Sequence, residues 1–186
     1  VLEYVEGLSI EQLLARDVRI PGGALVPLAL GVLDALEYLA HHAPVAPVVH
    51  RDVAPANILV TVAGQARLTD FGLAHAAQRA RLTRTGELRG RMRVLGPRRL
   101  AGAAPAPWDD LYGLMVTLVD AALGLAALKR FQPLAVGEAA EAGLPAPLAT
   151  LAERLVAGDE AVTHAVFRAT CLECRPRLDA ESARRW

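Results

Sequence analysis

Aromatic residues are scarce in this chain of 186 residues, at three Phe, three Tyr and two Trp. None lies inside the basic run Arg79, Arg81, Arg84, Arg89, Arg91 and Arg93. The run therefore offers no stacking surface for bases and reads as a solvated loop, not a nucleic-acid contact. An excess charge is lacking too, since Lys plus Arg and Asp plus Glu both number 20. Zero net charge removes any global pull toward nucleic acid or an anionic membrane. Cysteine is nearly absent. Cys171 and Cys174 cannot build a disulfide framework, which suits a reducing, cytoplasmic compartment. Their C-x-x-C spacing is half a zinc knuckle, but no second pair or His-x-x-x-His completes it, so both read as small residues in or beside a helix. No signal-peptide pattern opens the chain, and its first residues, Val1-Leu2-Glu3-Tyr4, read as cut from something longer. The one stretch resembling a membrane span, Leu111 to Leu128, carries Asp120 near its middle. A carboxylate there is costly in hydrocarbon, so the expectation is a buried helix and no membrane contact.

What is present suits one domain with a real core: 53% of residues are hydrophobic and 22% charged. Leu2 to Gly7 is a short β-like run. Ser9 and Gln12 have the spacing of a weak capping box. After the Pro21-Gly22-Gly23 break, Leu25, Leu28, Val32, Leu36 and Leu39 recur at three- and four-residue steps, which predicts an amphipathic helix over Ala24–His42. Ile58–Val60 and Ala66–Thr69 read as two short strands joined around Gly64. Residues 70–108 are long, irregular and rich in Gly, Arg and Pro, the pattern of a functional segment. Asp109 or Asp110 opens an apolar helix reaching Gly124, and the Ala-rich remainder predicts two to four more helices. No internal repeat is present.

The chemistry sits in His50-Arg51-Asp52-Val53-Ala54-Pro55-Ala56-Asn57 and in Asp70-Phe71-Gly72. Asp52 can accept a proton from an attacking hydroxyl. Asn57 and Asp70 supply hard oxygen ligands suited to magnesium, and together the three carry the groups that phosphoryl transfer from a magnesium–nucleotide needs. Asn57 follows Asp52 by five residues and Asp70 follows it by 70 − 52 = 18. At that spacing the sequence resembles the protein kinases, whose catalytic loop reads H-R-D-x-x-x-x-N and whose metal-binding turn reads D-F-G. The small-molecule phosphotransferases are a rival, but they usually carry His-Gly-Asp and lack the long segment after Asp70. Leu73-Ala74 leans toward the Ser/Thr class.

The resemblance implies a mainly α fold: a protein kinase-like C-lobe with a small β-hairpin carrying the catalytic and metal-binding loops. Residues 1–7 would be the hinge and 8–186 the C-lobe, with the N-lobe absent and expected in cis upstream. It implies ATP and Mg2+ as cofactors and a protein substrate or docking partner. Asp52 would be the catalytic base, with Asn57 beside it; Asn57 and Asp70 would hold the metal. Leu59 would floor the adenine, and the backbones of Glu3 and Val5 would bond it. Arg51 would pair with a phosphorylated Thr83 or Thr85, and Asp110 would hold the catalytic loop's backbone.

Four departures accompany the resemblance. The glycine-rich loop and phosphate-gripping lysine that the resemblance implies are not among residues 1–186. Ala54 stands where Ser/Thr kinases usually carry a lysine. Gly96-Pro97-Arg98 stands at the Ala-Pro-Glu position, setting Arg98 against Arg175 unless the segment repacks, with Glu173 as a candidate partner. Met115 replaces a glycine of the central helix, and Arg91 sits where a substrate-contacting threonine is common. The implied parent activity is that of a protein serine/threonine kinase, with residues 1–186 inactive alone. The alternative is a pseudokinase, or an interaction module that uses the lobe as a docking scaffold.

Overall fold

The computed structural model describes residues 4–42, 48–70, 93–128, 130 and 132–175. The architecture is mostly helical with one small sheet. Strand β1 (Gly7–Ser9) runs straight into α1 (Ile10–Ala15) and α2 (Gly22–His42). The 3-10 turn Pro55–Asn57 delivers the chain to β2 (Ile58–Thr61) and β3 (Ala66–Leu68). The helices α3 (Pro97–Leu100), α4 (Pro107–Leu123), α5 (Leu125–Leu128), α6 (Glu138–Glu141), α7 (Ala146–Val156) and α8 (His164–Glu173) follow.

Local chemistry accounts for most of these boundaries. Ser9 Oγ accepts from Gln12 N at 3.1 Å and Gln12 Oε1 accepts from Ser9 N at 2.9 Å, so the capping box forms as its spacing requires. Helix α2 buries Leu25, Leu28, Val32 and Leu36, with Leu39 half-buried, along the predicted stripe. The sheet differs from the two-stranded expectation. Gly7–Ser9 pairs antiparallel with β2, setting Gly7 opposite Thr61 and Ser9 opposite Leu59, and β2 pairs with β3. Three residues are too few to show alternation, and the pairing is non-local, so the third strand has no sequence signature.

Helix α4 is the axis of the core. Leu111 through Ala121 are all buried, and α2 and α7 pack on it. It opens at Pro107, two residues before Asp109, because proline suits the first helical position and the Asp109 carboxylate reaches back to the Ala106 N–H at 2.7 Å. It ends at Gly124, whose φ of 93° lies outside the range of other residues. The break at Gly124 splits the Leu111–Leu128 stretch between α4 and α5. Among the described residues, the helix long and apolar enough by composition to cross a membrane is instead Gly22–His41. The sequence expectation missed it because a membrane span and a core helix share length and apolarity, and the two differ only in what surrounds them. Here Leu25, Val26, Leu28, Ala29, Val32 and Leu33 lie in the core.

Asp120, the carboxylate inside α4, finds a partner that the sequence reading missed. Arg93 is buried, not solvated: its Nε donates to Asp120 Oδ1 at 2.8 Å and its Nη2 to Glu138 Oε1 at 2.6 Å. Its Nη1 also reaches the Gln132 carbonyl, Arg130 adds a second cation to Glu138, and the Ala135 N–H donates to Glu138 Oε2. Burial pushes the Asp120 carboxyl up to about 6 even with the guanidinium in contact. The cluster ties the end of the segment before α3 to the last turn of α4 and the start of α6. Replacing one member leaves an uncompensated buried charge. Arg93→Met is therefore expected to cost about 3–5 kcal/mol in urea unfolding. Arg93→Met with Asp120→Leu should recover part of that loss, because the Asp120 carboxylate is then gone and Glu138 keeps Arg130 and the Ala135 N–H as partners.

Candidate functional site

The loop His50–Asn57 crosses the first turns of α4, and its shape is set by one carboxylate. Asp110 Oδ2 accepts the His50 N–H at 2.7 Å and Oδ1 accepts the Arg51 N–H at 2.7 Å. Two parallel bonds to adjacent amides fix both position and direction of the backbone. One turn further along α4, Gly113 lies against Val53, and a Cβ there would stand 2.6 Å from the Val53 carbonyl oxygen. No side chain fits at that distance. Thr117 Oγ1 donates to the Gly113 carbonyl at 2.9 Å, so the buried hydroxyl is also satisfied. Met115, fully buried two residues after Gly113, packs into the core, and the close approach to the loop occurs at 113.

Within the loop, Asn57 Nδ2 donates to the Asp52 carbonyl at 2.7 Å, and Asn57 N donates to the Ala54 carbonyl at 2.9 Å. The amide nitrogen of Asn57 is thus committed to the loop, leaving its oxygen as the side chain's ligand atom. The Asn57 carbonyl accepts from Thr69 N at 2.9 Å and Thr69 Oγ1 at 3.2 Å. His50 Nε2 lies 3.0 Å from the Thr69 carbonyl, which can only accept, so Nε2 carries a proton. Burial holds the imidazole below its ordinary value against the pull of that carbonyl, Asp52 and Asp70, and His50 is neutral at pH 7. These bonds bring Asp52, Asn57 and Asp70 to one place although 18 residues separate the first from the last.

Three non-glycine residues among those described have positive φ, and two are in this site: Arg51 at 69° and Asp70 at 60°. Each such residue costs about 1–2 kcal/mol, and such strain persists only where surrounding bonds over-determine it. For Arg51 those bonds are the Asp110 pair; for Asp70 they are the ties on Thr69. Asp70 is exposed, Asp52 half-buried and Asn57 buried. Leu59, half-buried on β2 between Ser9 and Arg67, and the half-buried Val5 complete the expected set that can be placed. Glu3, Phe71, Gly72, Thr83, Thr85 and Arg91 lie outside the described residues.

Two expectations are corrected beside the site. Arg98 does not depend on Arg175 or Glu173, both exposed. Its Nε donates to Glu160 Oε1 at 2.6 Å and its Nη1 stands 3.5 Å from Asp109 Oδ1, so the segment repacks around different carboxylates. Gly113 was overlooked, although a glycine inside an apolar helix is itself a signal of close backbone approach. The cysteines follow the plainer expectation: Cys171 is buried on α8, its thiol pushed up to about 12 by burial, and Cys174 caps that helix. Among the described residues no group of three His, Cys, Asp or Glu could hold a metal. Asn57 and Asp70 would supply two oxygens, which fits magnesium, an ion that takes few protein ligands and keeps phosphate or water as the rest.

Burial pushes the Asp110 carboxyl up to about 6, with the two backbone N–H groups and Arg51 opposing. The sign follows directly: an acid whose folded pKa is raised takes up a proton on folding between pH 4 and 6, so its contribution to stability grows as pH falls through that window. Asp110→Asn cannot present two acceptors to two N–H groups and should cost about 1–3 kcal/mol at pH 7. The difference in unfolding free energy between the natural protein and the variant should widen by about 3 kcal/mol on going from pH 7 to pH 4. Urea titrations at the two pH values measure it.

The arrangement sets Asp52, Asn57 and Asp70 on two loops joined by hydrogen bonds, and similarity to known proteins can be set beside it. The family model described as the protein kinase domain matches residues 1–135. The chain is 37% identical over 119 residues to the serine/threonine-protein kinases PknA of Corynebacterium glutamicum, covering 62% of this chain and 24% of that protein. It is 36% identical over 124 residues to the serine/threonine-protein kinase PknA of Mycobacterium tuberculosis, covering 67% and 28%. With the serine/threonine-protein kinase PrkC of Bacillus subtilis the identity is 31% over 125 residues, covering 67% and 18%. The chain thus spans about a quarter of the length of these bacterial relatives. With the match covering most of its length and the loop geometry in place, the chain belongs to the protein kinase family.

Proposed function

We propose that residues 1–186 are the C-terminal part of a serine/threonine protein kinase domain, with 1–7 as hinge and 8–186 as the lobe, acting in the cytoplasm on protein hydroxyls. The observation that supports this best is the chain of bonds from the Asp52 carbonyl to Asn57 and from Asn57 to Thr69, next to Asp70. ATP and magnesium are general to the family. Magnesium, when bound, neutralises charge on the transferring phosphoryl group. Asn57 Oδ1 and the Asp70 carboxylate would hold it. The Asp52 carboxylate would orient the substrate hydroxyl and take its proton as that oxygen bonds the γ-phosphorus and the bond to the β-phosphate oxygen breaks, with ADP as the leaving group. Leu59 would lie beneath the adenine and the Val5 backbone would bond its edge, with Glu3, outside the described residues, expected to share that role. Neutral His50, locked to Thr69, keeps the two loops in register without competing for the proton.

Ala54, half-buried two residues after Asp52, brings no charge to the transferring phosphate. Catalysis of this kind is positioning and charge stabilisation, so lacking a lysine there and a phosphate lid should cost orders of magnitude in rate. Residues 1–186 alone should transfer no phosphate at a useful rate. Ala54 is also the observation that favours the second reading, a lobe kept as a docking scaffold.

Two measurements separate these. In protein containing these residues together with the polypeptide encoded upstream, Asp52→Asn should lower phosphorylation of a protein substrate by at least about 10³-fold, as loss of a positioned base and orienter does. Transfer that is unchanged by Asp52→Asn would sink the enzyme reading. Asp70→Ala, at an exposed position of positive φ, should lower the unfolding free energy by no more than about 1–2 kcal/mol, leaving the protein folded. The same variant should abolish magnesium-dependent binding of ATP, and calorimetric titration with magnesium–ATP shows whether it does.

A further inference from the structure

Arg98 begins no bond to the catalytic loop, yet it sits one step from it. Its guanidinium lies over the Trp108 ring, 5.8 Å from the centroid, and donates to Glu160. Trp108 stacks on Tyr112 and donates through Nε1 to the Asp159 carbonyl at 2.8 Å. Gly96 lies flat on the same aromatic pair, where a Cβ would stand 3.0 Å from Trp108 and 3.1 Å from Tyr112. Residues 96–98 are therefore held against the first turn of α4 by contact and by charge together.

The charge contact is the informative one. Arg98 Nη1 and Asp109 Oδ1 stand 3.5 Å apart, both atoms are buried, and neither has a hydrogen bond among the described residues. Each is compensated there by the charge of the other. The second oxygen of Asp109 closes the start of α4 by accepting from Ala106 N. The next residue is Asp110, whose two oxygens hold His50 and Arg51. Two adjacent carboxylates repel, and Asp109 raises the proton affinity of Asp110. A cation on Asp109 offsets that repulsion and keeps the turn closed.

We propose that Arg98 is a positioning residue for the catalytic loop, acting through Asp109 on the Asp110 carboxylate that holds His50 and Arg51. The position that the family fills with glutamate carries here a clasp of opposite charge, and the loop's geometry depends on it. The consequence for phosphoryl transfer rests on the kinase reading above; the coupling itself does not.

Amide hydrogen exchange on the 186-residue chain tests the coupling. Arg98→Gln should speed exchange at the His50 and Arg51 amides by about tenfold relative to the Val116 and Leu118 amides, which report global opening. Glu160→Gln keeps the Asp109 contact and should leave His50 and Arg51 protected, while Arg98→Lys should restore part of the protection. A purely local role would speed only Leu100, Ala101 and Ala103, whose N–H groups bond to the Gly96, Pro97 and Arg98 carbonyls. That result would overturn the proposal. Should Arg98→Gln fail to fold, Arg98→Lys carries the same comparison, with unchanged His50 and Arg51 exchange as the negative outcome. In protein showing Asp52-dependent transfer, Arg98→Gln should lower kcat with the KM for ATP unchanged. Absence of Asp52-dependent transfer alongside faster His50 exchange would refute the kinase reading and leave the clasp standing.

Discussion

Everything in the site depends on the Asp110 carboxylate accepting two consecutive backbone N–H groups. His50 and Arg51 lie in the irregular part of the loop, ahead of the 3-10 turn Pro55–Asn57, and Arg51 is in a left-handed conformation that an unconstrained chain would leave. A buried carboxylate with one partner would be a liability, because its desolvation exceeds what one bond returns. With both oxygens committed to amides in parallel it becomes a fixed clamp, and the strain of Arg51 is held by it. The clamp belongs to α4, the most buried helix, so the catalytic loop is referenced to the core and not to the surface.

The same helix shows how an apolar element can carry polar instructions. After Asp109, which closes its start, Asp110, Gly113, Thr117 and Asp120 are its departures from a hydrophobic rod, and each is answered by a specific partner. Asp110 takes the loop amides, Gly113 admits the Val53 carbonyl, Thr117 returns to its own backbone, and Asp120 takes Arg93. Two of these face the catalytic loop. Asp120 instead holds the end of the segment that leads into α3. One helix thus positions both the loop bearing Asp52 and the chain arriving at Arg98. This explains how a domain with a sheet of three short strands can hold a defined site.

The motifs and the long periodic helix were legible because they are local in sequence. His50 to Asn57 and Asp70 carry their spacing on their face, the stripe from Leu25 to Leu39 repeats at helical period, and Ser9 with Gln12 forms a box across three residues. What escaped is non-local or electrostatic. Gly7–Ser9 is a strand only because β2 lies beside it. Arg93 looked like one more solvated arginine, since five others surround it in sequence and nothing marks which one turns inward. The clue lay 27 residues away, in a lone carboxylate inside an apolar helix that required a cation. Arg98 was set against Arg175 by motif position, whereas charge decides the pairing, and Asp109 and Glu160 are closer carboxylates.

The departures from the family pattern therefore differ in kind. A reversed charge at 98 and a displaced glycine at 113 read as erosion when judged residue by residue against a motif. In the folded chain both have partners suited to the residue that is present: carboxylates and a Trp ring for Arg98, a bare carbonyl for Gly113. Arg98 Nη1 and Asp109 Oδ1 are buried without a hydrogen bond among the described residues, but each faces the opposite charge of the other at 3.5 Å. Ala54 is different. It stands half-buried beside the loop that bears Asp52 and Asn57, and an alanine can bring neither a charge nor a hydrogen bond to a phosphate. Repacked anchors preserve geometry, whereas a missing cation removes electrostatic stabilisation that geometry cannot replace. On the kinase reading proposed above, activity would turn on whether another cation reaches the phosphate.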